Sequence, residues 1–458
     1  MKIDFKKPLK VYFVGIGGIS MSGIASIINA GGFKVSGSDS KKSDLTEKLE
    51  REGITVFFGQ DFSHVPEDTE LVVYTAAIKK DNPDLLFAKE HNIPSMTRAE
   101  FLGLLLENYN TPIAISGTHG KTTTTSMISE IMLEADKNPT ISNGGVLQSI
   151  GSNIFLGGTD YFVFEACEYT NSFLSFFPKI SVILNVEEDH LDFFKDIDDI
   201  RNSFNLFAKH LPSDGLLVIC NDIKNKESVL KDISCPYVTY GMSDTCDYYA
   251  TDITFDEKAH PSFVCHRKKD GYAFNVSLSV TGEHNVLNAL AAIAVTDYLN
   301  VGEDAIKAAL LKCSGSKRRF EYRGTFDGVT VIDDYAHHPT EIKATLTAAK
   351  EYPHKTLWCV FQPHTYTRTK AFLKEFAQAL SLADKVILAD VYPAREKDIY
   401  GCNSQNLYEE LLSLGCDVTY LHSFEEIEKI IHKNTINGDL LITVGAGDVV
   451  KIADNLTS

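Results

Sequence analysis

Cysteine pairs of the metal-binding kind are missing from this chain. Nine cysteines lie between Cys167 and Cys416, an odd number, and no two form a C-x-x-C pair. A disulfide framework and a cysteine zinc site therefore lack their signatures, and a reducing cytosol is the expected compartment. Long apolar runs are missing too. No stretch approaches the ~20 apolar residues of a membrane helix. The opening Met1-Lys-Ile-Asp-Phe-Lys-Lys has neither an apolar core nor a small-residue cleavage site. Basic residues are fewer than acidic ones, 44 Lys and Arg against 62 Asp and Glu, for a formal net charge of −18. Such a surface repels nucleic acid and anionic lipid, so neither is an expected partner. A small anionic ligand must then be held by local lysine, arginine, backbone amides or metal.

What is present describes an ordinary globular chain of 458 residues, 44% hydrophobic and 23% charged. That length suggests about three domains. Residues 1–108 alternate strand and helix: Lys10–Ile16, a glycine turn, a helical run from Ile19 to Ala30, and a strand at Leu71–Thr75. Residues 109–313 begin with the strand Pro112–Ser116 and a helix over Thr122–Ala135. Met127, Ile128, Ile131, Met132 and Ala135 fall on one face of that helix. Strands at Phe162–Ala166, Ile180–Val186 and Leu216–Cys220 follow. Alternating short runs over Asp247–Val280 predict an antiparallel patch, and His284–Leu299 a helix. Residues 314–458 alternate again, with strands at Val329–Ile332, Thr356–Phe361, Lys385–Ala389 and Leu440–Val444. The expected fold is α/β in three domains. The first and third are Rossmann-like, and the central one is P-loop-like with a small antiparallel patch.

The most informative segment is Ser116-Gly-Thr-His-Gly-Lys-Thr-Thr-Thr-Thr125, between a buried strand and a helix. Glycines let backbone amides approach phosphate oxygens, and the helix start adds partial positive charge. Lys121 has the reach for β- and γ-phosphates, and the Thr122 hydroxyl suits Mg²⁺. Gly117, Thr118, His119, Gly120 and Thr123 complete the candidate phosphate loop. Its G-x-x-G-K-T spacing is shorter than the usual P-loop, and the bland alternative is a plain strand–helix turn with an exposed lysine.

A second glycine turn, Val14-Gly-Ile-Gly-Gly-Ile-Ser, also follows a strand and opens a helix, with Asp39 some 22 residues after Gly17. A dinucleotide and another diphosphate such as UDP both offer a pyrophosphate to such a turn, so the residues alone leave the two open. Glu165 ends a strand and His190 follows another. Carboxyl ends of strands are where open parallel sheets bind ligands, and a carboxylate with an imidazole beside phosphates suits Mg²⁺ or Mn²⁺. His284 and Asn288 share a helical face, either to read an adenine edge or merely to cap a helix. In the last block, polar clusters at successive strand ends hold Arg319, Asp333, His338, Arg368 and Arg395. Arg319 and Arg368 are able to clamp phosphate or carboxylate.

Taken together, VGIGGISMSG, SGTHGKTTTT, DDYAHHPTEI, FQPHTYTRT and VGAGD resemble the Mur ligases along essentially the whole length. They look more like the alanine-adding branch than the enzymes that add later residues. The resemblance implies an ATP- and Mg²⁺-dependent ligase that adds L-alanine to UDP-N-acetylmuramate, acting as a monomer or homodimer. It implies that Gly15, Gly17, Gly18 and Asp39 surround UDP, and that Lys121 meets the phosphates. Thr122 and Glu165 would hold one metal ion, and Glu165 with His190 the other. His284 and Asn288 would contact adenine, Arg319 and Asp333 the nucleotide, and His338 and Arg368 the alanine and the acyl phosphate. Cys167 stands where many relatives carry an acid, Thr365 where some carry arginine, and Ala394-Arg395-Glu396 replaces a commoner A-G-E. Rival functions are a related ligase adding a whole peptide, a nicotinamide-dependent oxidoreductase, and a nucleotide-regulated UDP-sugar sensor that releases no phosphate.

Overall fold

Lys10–Val14 reads KVYFV, and four of its five residues are buried. Apolar residues on both faces of a strand belong in the middle of a parallel sheet. In the computed structural model, that strand is central to five parallel ones, in the order Thr55–Phe58, Lys34–Asp39, Lys10–Val14, Leu71–Tyr74, Ser95–Thr97. The structure describes residues 3–59, 61–75, 78–79, 81–394, 396–399 and 401–458. Arg395, one of the polar-cluster residues above, lies outside them.

A ten-stranded sheet forms the middle of the molecule. Thr111–Ser116 runs parallel between Ile180–Ile183 and Tyr161–Glu165. One end is the antiparallel meander Tyr248–Phe255, Pro261–Arg267, Tyr272–Ser277, where alternating runs predict it. The other end is a hairpin, Thr140–Leu147 with Ser152–Phe155, which no buried run or alternation predicts. Its Asn143-Gly144-Gly145 run looks like a turn, yet it lies inside a strand, where glycine marks a close backbone approach. Helix Lys121–Glu134 is buried on nearly its whole circumference, not on one face alone. It packs against the helices His284–Tyr298 and Glu303–Lys312 as well as the sheet, so its Thr and Ser residues are also covered.

The third sheet has six strands, in the order Glu321–Phe326, Val329–Asp334, Leu440–Val444, Leu357–Phe361, Lys385–Leu388, Val418–Tyr420; the first is antiparallel and the rest are parallel. The hydrophobic cores divide differently from the sheets. One continuous cluster runs from Ile3 to Cys313 through the first two sheets. The third sheet has a separate cluster on each face. Gly23 belongs to the seam inside the shared cluster: a Cβ there would meet Ile154 Cδ1 at 2.4 Å.

Candidate functional site

Between Thr111–Ser116 and Lys121–Glu134 the backbone passes Gly117 at φ +137° and Gly120 at φ +83°. Glycine takes these values without strain. Space demands it too: a Cβ on Gly117 would lie 2.9 Å from Leu184 Cβ, and one on Gly120 2.7 Å from Asn288 Oδ1. Asn185 clamps the loop, its Oδ1 accepting from the His119 amide at 2.7 Å and its Nδ2 donating to the His119 carbonyl at 3.1 Å. The Glu187 amide donates to Thr118 Oγ1 at 3.0 Å. Lys121 Nζ donates to the Gly117 carbonyl and, at 3.1 Å, to that of Thr118, and it pairs with Glu168 at 3.1 Å. Burial works against its charge, but Glu168 foremost outweighs this and holds the ammonium pKa above the usual lysine range.

Glu168 is itself buried, and it gathers the neighbouring groups. His190 Nε2 lies 4.0 Å from Glu168 Oε1 and 3.7 Å from Asp189 Oδ2, with its ring stacked on Tyr169 at 4.4 Å. Burial pushes the His190 pKa down, against the pull of Asp189 and Glu168. Glu165 Oε1 accepts from the Gly144 amide at 2.6 Å. The glycine pair is essential to this approach, because a Cβ on Gly144 would lie 2.6 Å from Glu165 Oε1 and one on Gly145 3.2 Å from Thr122 Cγ2. Lys121 and His190 thus meet at Glu168, while Glu165 and Thr122 flank the Gly144–Gly145 pair.

On the other side of the loop opens a cleft of about 870 Å³, walled by His119, Gly120, Thr123, His284, Asn288 and Arg319 among others. Asn288 is buried and fixed by its Nδ2 bond to Asn285 Oδ1 at 2.8 Å. The His284 ring is open to the cleft, although the walls around it lower its pKa by excluding water. Asp333 does not reach this space. It is fully buried, accepting from Arg318 Nε at 2.9 Å and from the Thr443 hydroxyl at 2.7 Å. Asp334, one residue on and therefore on the other face of the strand, lines the cleft instead. Burial pushes its carboxyl up to about 6.

The third sheet's loops are docked onto the phosphate loop. His119 lies between Glu187 and Glu341, 3.4 Å from each, and faces the His338 ring at 4.5 Å. Burial alone would lower its pKa, but the two carboxylates raise it to about 9. Neither His119 nitrogen makes a well-formed hydrogen bond, so the attraction is one of charge. His338 caps the helix Pro339–Glu351: its Nδ1 accepts from the Thr340 amide at 3.3 Å, and its Nε2 donates to the Glu188 carbonyl at 3.0 Å. Burial holds its pKa near 4. Among the described residues, the acid and imidazole cluster with ligand atoms within 4.8 Å of one another is His119, Glu187 and His338. Since both His338 nitrogens are taken, this cluster is a tie between domains and not a cation cage. Arg368 makes a second tie, its Nε and Nη2 donating to Asp189 Oδ1 at 3.1 and 3.0 Å. Burial opposes the Asp189 charge, but Arg368 outweighs it and holds the carboxyl well below the usual range. A small pocket between these domains is lined by His190, Thr365 and Arg368.

The first glycine turn stands apart. Gly15 has φ +81°, and the Gly17 amide donates to Asp39 Oδ2 at 2.8 Å. Asp39 therefore shapes the turn. Gly18 then caps the helix Ile19–Ala30. Asn185, Glu187, Glu341 and Gly144 carry much of the site, yet no motif names a role for any of them. Their available signals are a polar residue just past a buried strand and a glycine pair within one.

Three family models match successive parts of the chain: "Mur ligase family, catalytic domain" over residues 10–110, "Mur ligase middle domain" over 115–296, and "Mur ligase, glutamate ligase domain" over 318–447. The chain belongs to the Mur ligase family. Within it, the chain is similar to the UDP-N-acetylmuramate–L-alanine ligases of Agathobacter rectalis and Lachnospira eligens. Identity is 54% and 55%, over 99% of each chain in both cases. Among solved structures it is similar to the UDP-N-acetylmuramate–alanine ligase of Thermotoga maritima, with TM-score 0.81, 30% identity and 98% of each chain covered.

Proposed function

We infer that this Mur ligase joins L-alanine to the carboxylate of UDP-N-acetylmuramate with conversion of ATP to ADP and phosphate, a step of peptidoglycan synthesis. Relatives about half identical over 99% of both chains carry that name. One observation carries the chemistry: a phosphate loop whose lysine lies 3.1 Å from Glu168, with His190 4.0 Å from the same acid. The nicotinamide and sensor alternatives leave that assembly without a use.

In this reading residues 1–108 hold the UDP-sugar, 109–313 the ATP and 314–458 the amino acid. Gly15, Gly17 and Gly18 let the pyrophosphate approach the start of the helix Ile19–Ala30, whose first amides face it. The muramyl carboxylate attacks the γ-phosphorus, the bond to the ADP oxygen breaks, and an acyl phosphate forms. Lys121 leaves the Gly117 and Thr118 carbonyls to meet the phosphate oxygens as their charge shifts. The alanine amine then attacks the acyl carbon, loses a proton, and expels phosphate through a tetrahedral intermediate. Arg368, beside the small interdomain pocket, is the clamp for the alanine carboxylate, sharing its donors with Asp189. His284 and Asn288 in the cleft wall take the adenine, and Arg319 takes the nucleotide from the third domain.

A hydroxyl, a carboxylate and a neutral imidazole are suitable donors for Mg²⁺ or Mn²⁺. Thr122 and Glu165 would hold one ion, and Glu165 with His190 the other. Bound there, such ions neutralise charge on the phosphates. All nine cysteines are unpaired, in keeping with a reducing cytoplasm as the place of work.

The test is phosphate release, read with malachite green, from purified protein with UDP-N-acetylmuramate, ATP, Mg²⁺ and each amino acid in turn. Release requires all components and is fastest with L-alanine. Lys121→Ala lowers it by at least about a hundredfold while UDP-N-acetylmuramate still binds. Full turnover in that variant, or release that ignores the amino acid, overturns the reading.

A further inference from the structure

We propose that Arg98 binds the carboxylate of the acid substrate and holds it at the edge of the phosphate loop. The inference rests on the ligase reading above and adds a substrate anchor to it.

Arg98 starts the helix Arg98–Leu106 and is half-buried. Its Nη1 donates to Ser20 Oγ at 2.9 Å. Ser20 lies two residues past Gly18, at the start of the helix that follows the first glycine turn. The other flank of the Arg98 helix is pressed against Tyr169–Ser175, the segment that follows Glu168. There Gly103 has no room for a methyl, whose carbon would lie 2.1 Å from the Ser175 carbonyl oxygen. Cys167 lies within electrostatic reach of both Arg98 and Lys121. Arg98 therefore bridges the two glycine turns, one suited to a pyrophosphate and the other to a triphosphate.

Among the described residues no carboxylate pairs with Arg98, whereas Arg267, Arg318, Arg323 and Arg368 each have one. Burial works against the Arg98 charge. A half-buried guanidinium with no protein anion beside it is better compensated when a ligand supplies one. Its remaining donors are free of protein acids and suit one carboxylate oxygen. The pyrophosphate already has the helix start behind the glycine turn. The position towards Cys167 and Lys121 is where the substrate's acid group must stand to reach the γ-phosphorus. Clamping one carboxylate oxygen leaves the other free to attack.

The test compares wild type, Arg98→Met and Arg98→Lys by calorimetric titration with UDP-N-acetylmuramate, with UDP-N-acetylglucosamine, which lacks the lactyl carboxylate, and with ATP. Arg98→Met is expected to weaken UDP-N-acetylmuramate by roughly ten- to a hundredfold. It should leave UDP-N-acetylglucosamine and ATP within about twofold. Its KM for UDP-N-acetylmuramate rises by a larger factor than its kcat falls, and Arg98→Lys recovers part of the loss. Unchanged affinity for UDP-N-acetylmuramate overturns the proposal. So does equal loss of both UDP-sugars, which would make Arg98 a pyrophosphate or folding residue. Failure of the wild type to release phosphate sinks the ligase reading itself, and intact wild-type turnover separates the two cases.

Discussion

Gly144 has no space to become anything larger. A methyl there would sit 2.6 Å from Glu165 Oε1 and push away the oxygen that the Gly144 amide now bonds. Gly144→Ala is expected to turn the carboxylate away from Thr122 and to lower kcat roughly ten- to a hundredfold. Steady-state kinetics check this, and an unchanged kcat would remove Glu165 from the reaction. Legibility at this scale follows sequence distance. Lys121 and its loop are readable because glycine, lysine and threonine within eight residues state both the backbone and the chemistry. Asp333 and Asp334 are adjacent, and only strand register decides which one faces the cleft. Asn185 clamps His119 across 66 residues. Such a partnership leaves no local trace.

The start of the helix Pro339–Glu351 and the phosphate loop form the element whose charge state sets docking. His119 has its folded pKa raised from 6.5 to about 9. Its contribution is complete below pH 6.5 and is lost as pH rises through 9. By linkage it is worth up to about 3 kcal/mol. His337 and His338 are shifted the opposite way, to about 4, by burial. On unfolding they take up protons between pH 6.5 and 4, so stability falls there as pH falls. The thermal midpoint should therefore peak near neutral pH and decline on both sides. Glu341→Gln should flatten the alkaline decline, and a wild-type profile in that variant would show that the His119–Glu341 contact does not matter. The strands and helices around this element are legible from buried runs and 3.6-residue spacing. The hairpin over Thr140–Phe155 is not, because its glycines serve a neighbour's carboxylate and weaken the strand signal.

Across the whole molecule, Asp189 and Arg368 join sheets 179 residues apart, and both are nearly buried. Removing one partner leaves the other charge unpaired, at a cost of roughly 3–5 kcal/mol. Asp189→Asn should therefore loosen the third domain, seen as a larger radius of gyration in small-angle scattering without ligands and a raised KM for alanine. Equal scattering curves would count against that tie. Three domains are legible from the order of strands and helices, but their contacts are not, since each pairs residues from separate folding units. The seam at Gly23 and Ile154 has a thermal consequence. Residues 3–313 share their main interior, with a small second cluster of Tyr12, Val14, Val65, Val72 and Ala88 on the first sheet's outer face, so the first two sheets should melt as a single cooperative body, and heating should give two calorimetric peaks, not three. A fragment of residues 314–458 should fold alone, whereas residues 109–313, cut free of their neighbour, would expose an oily wall and precipitate.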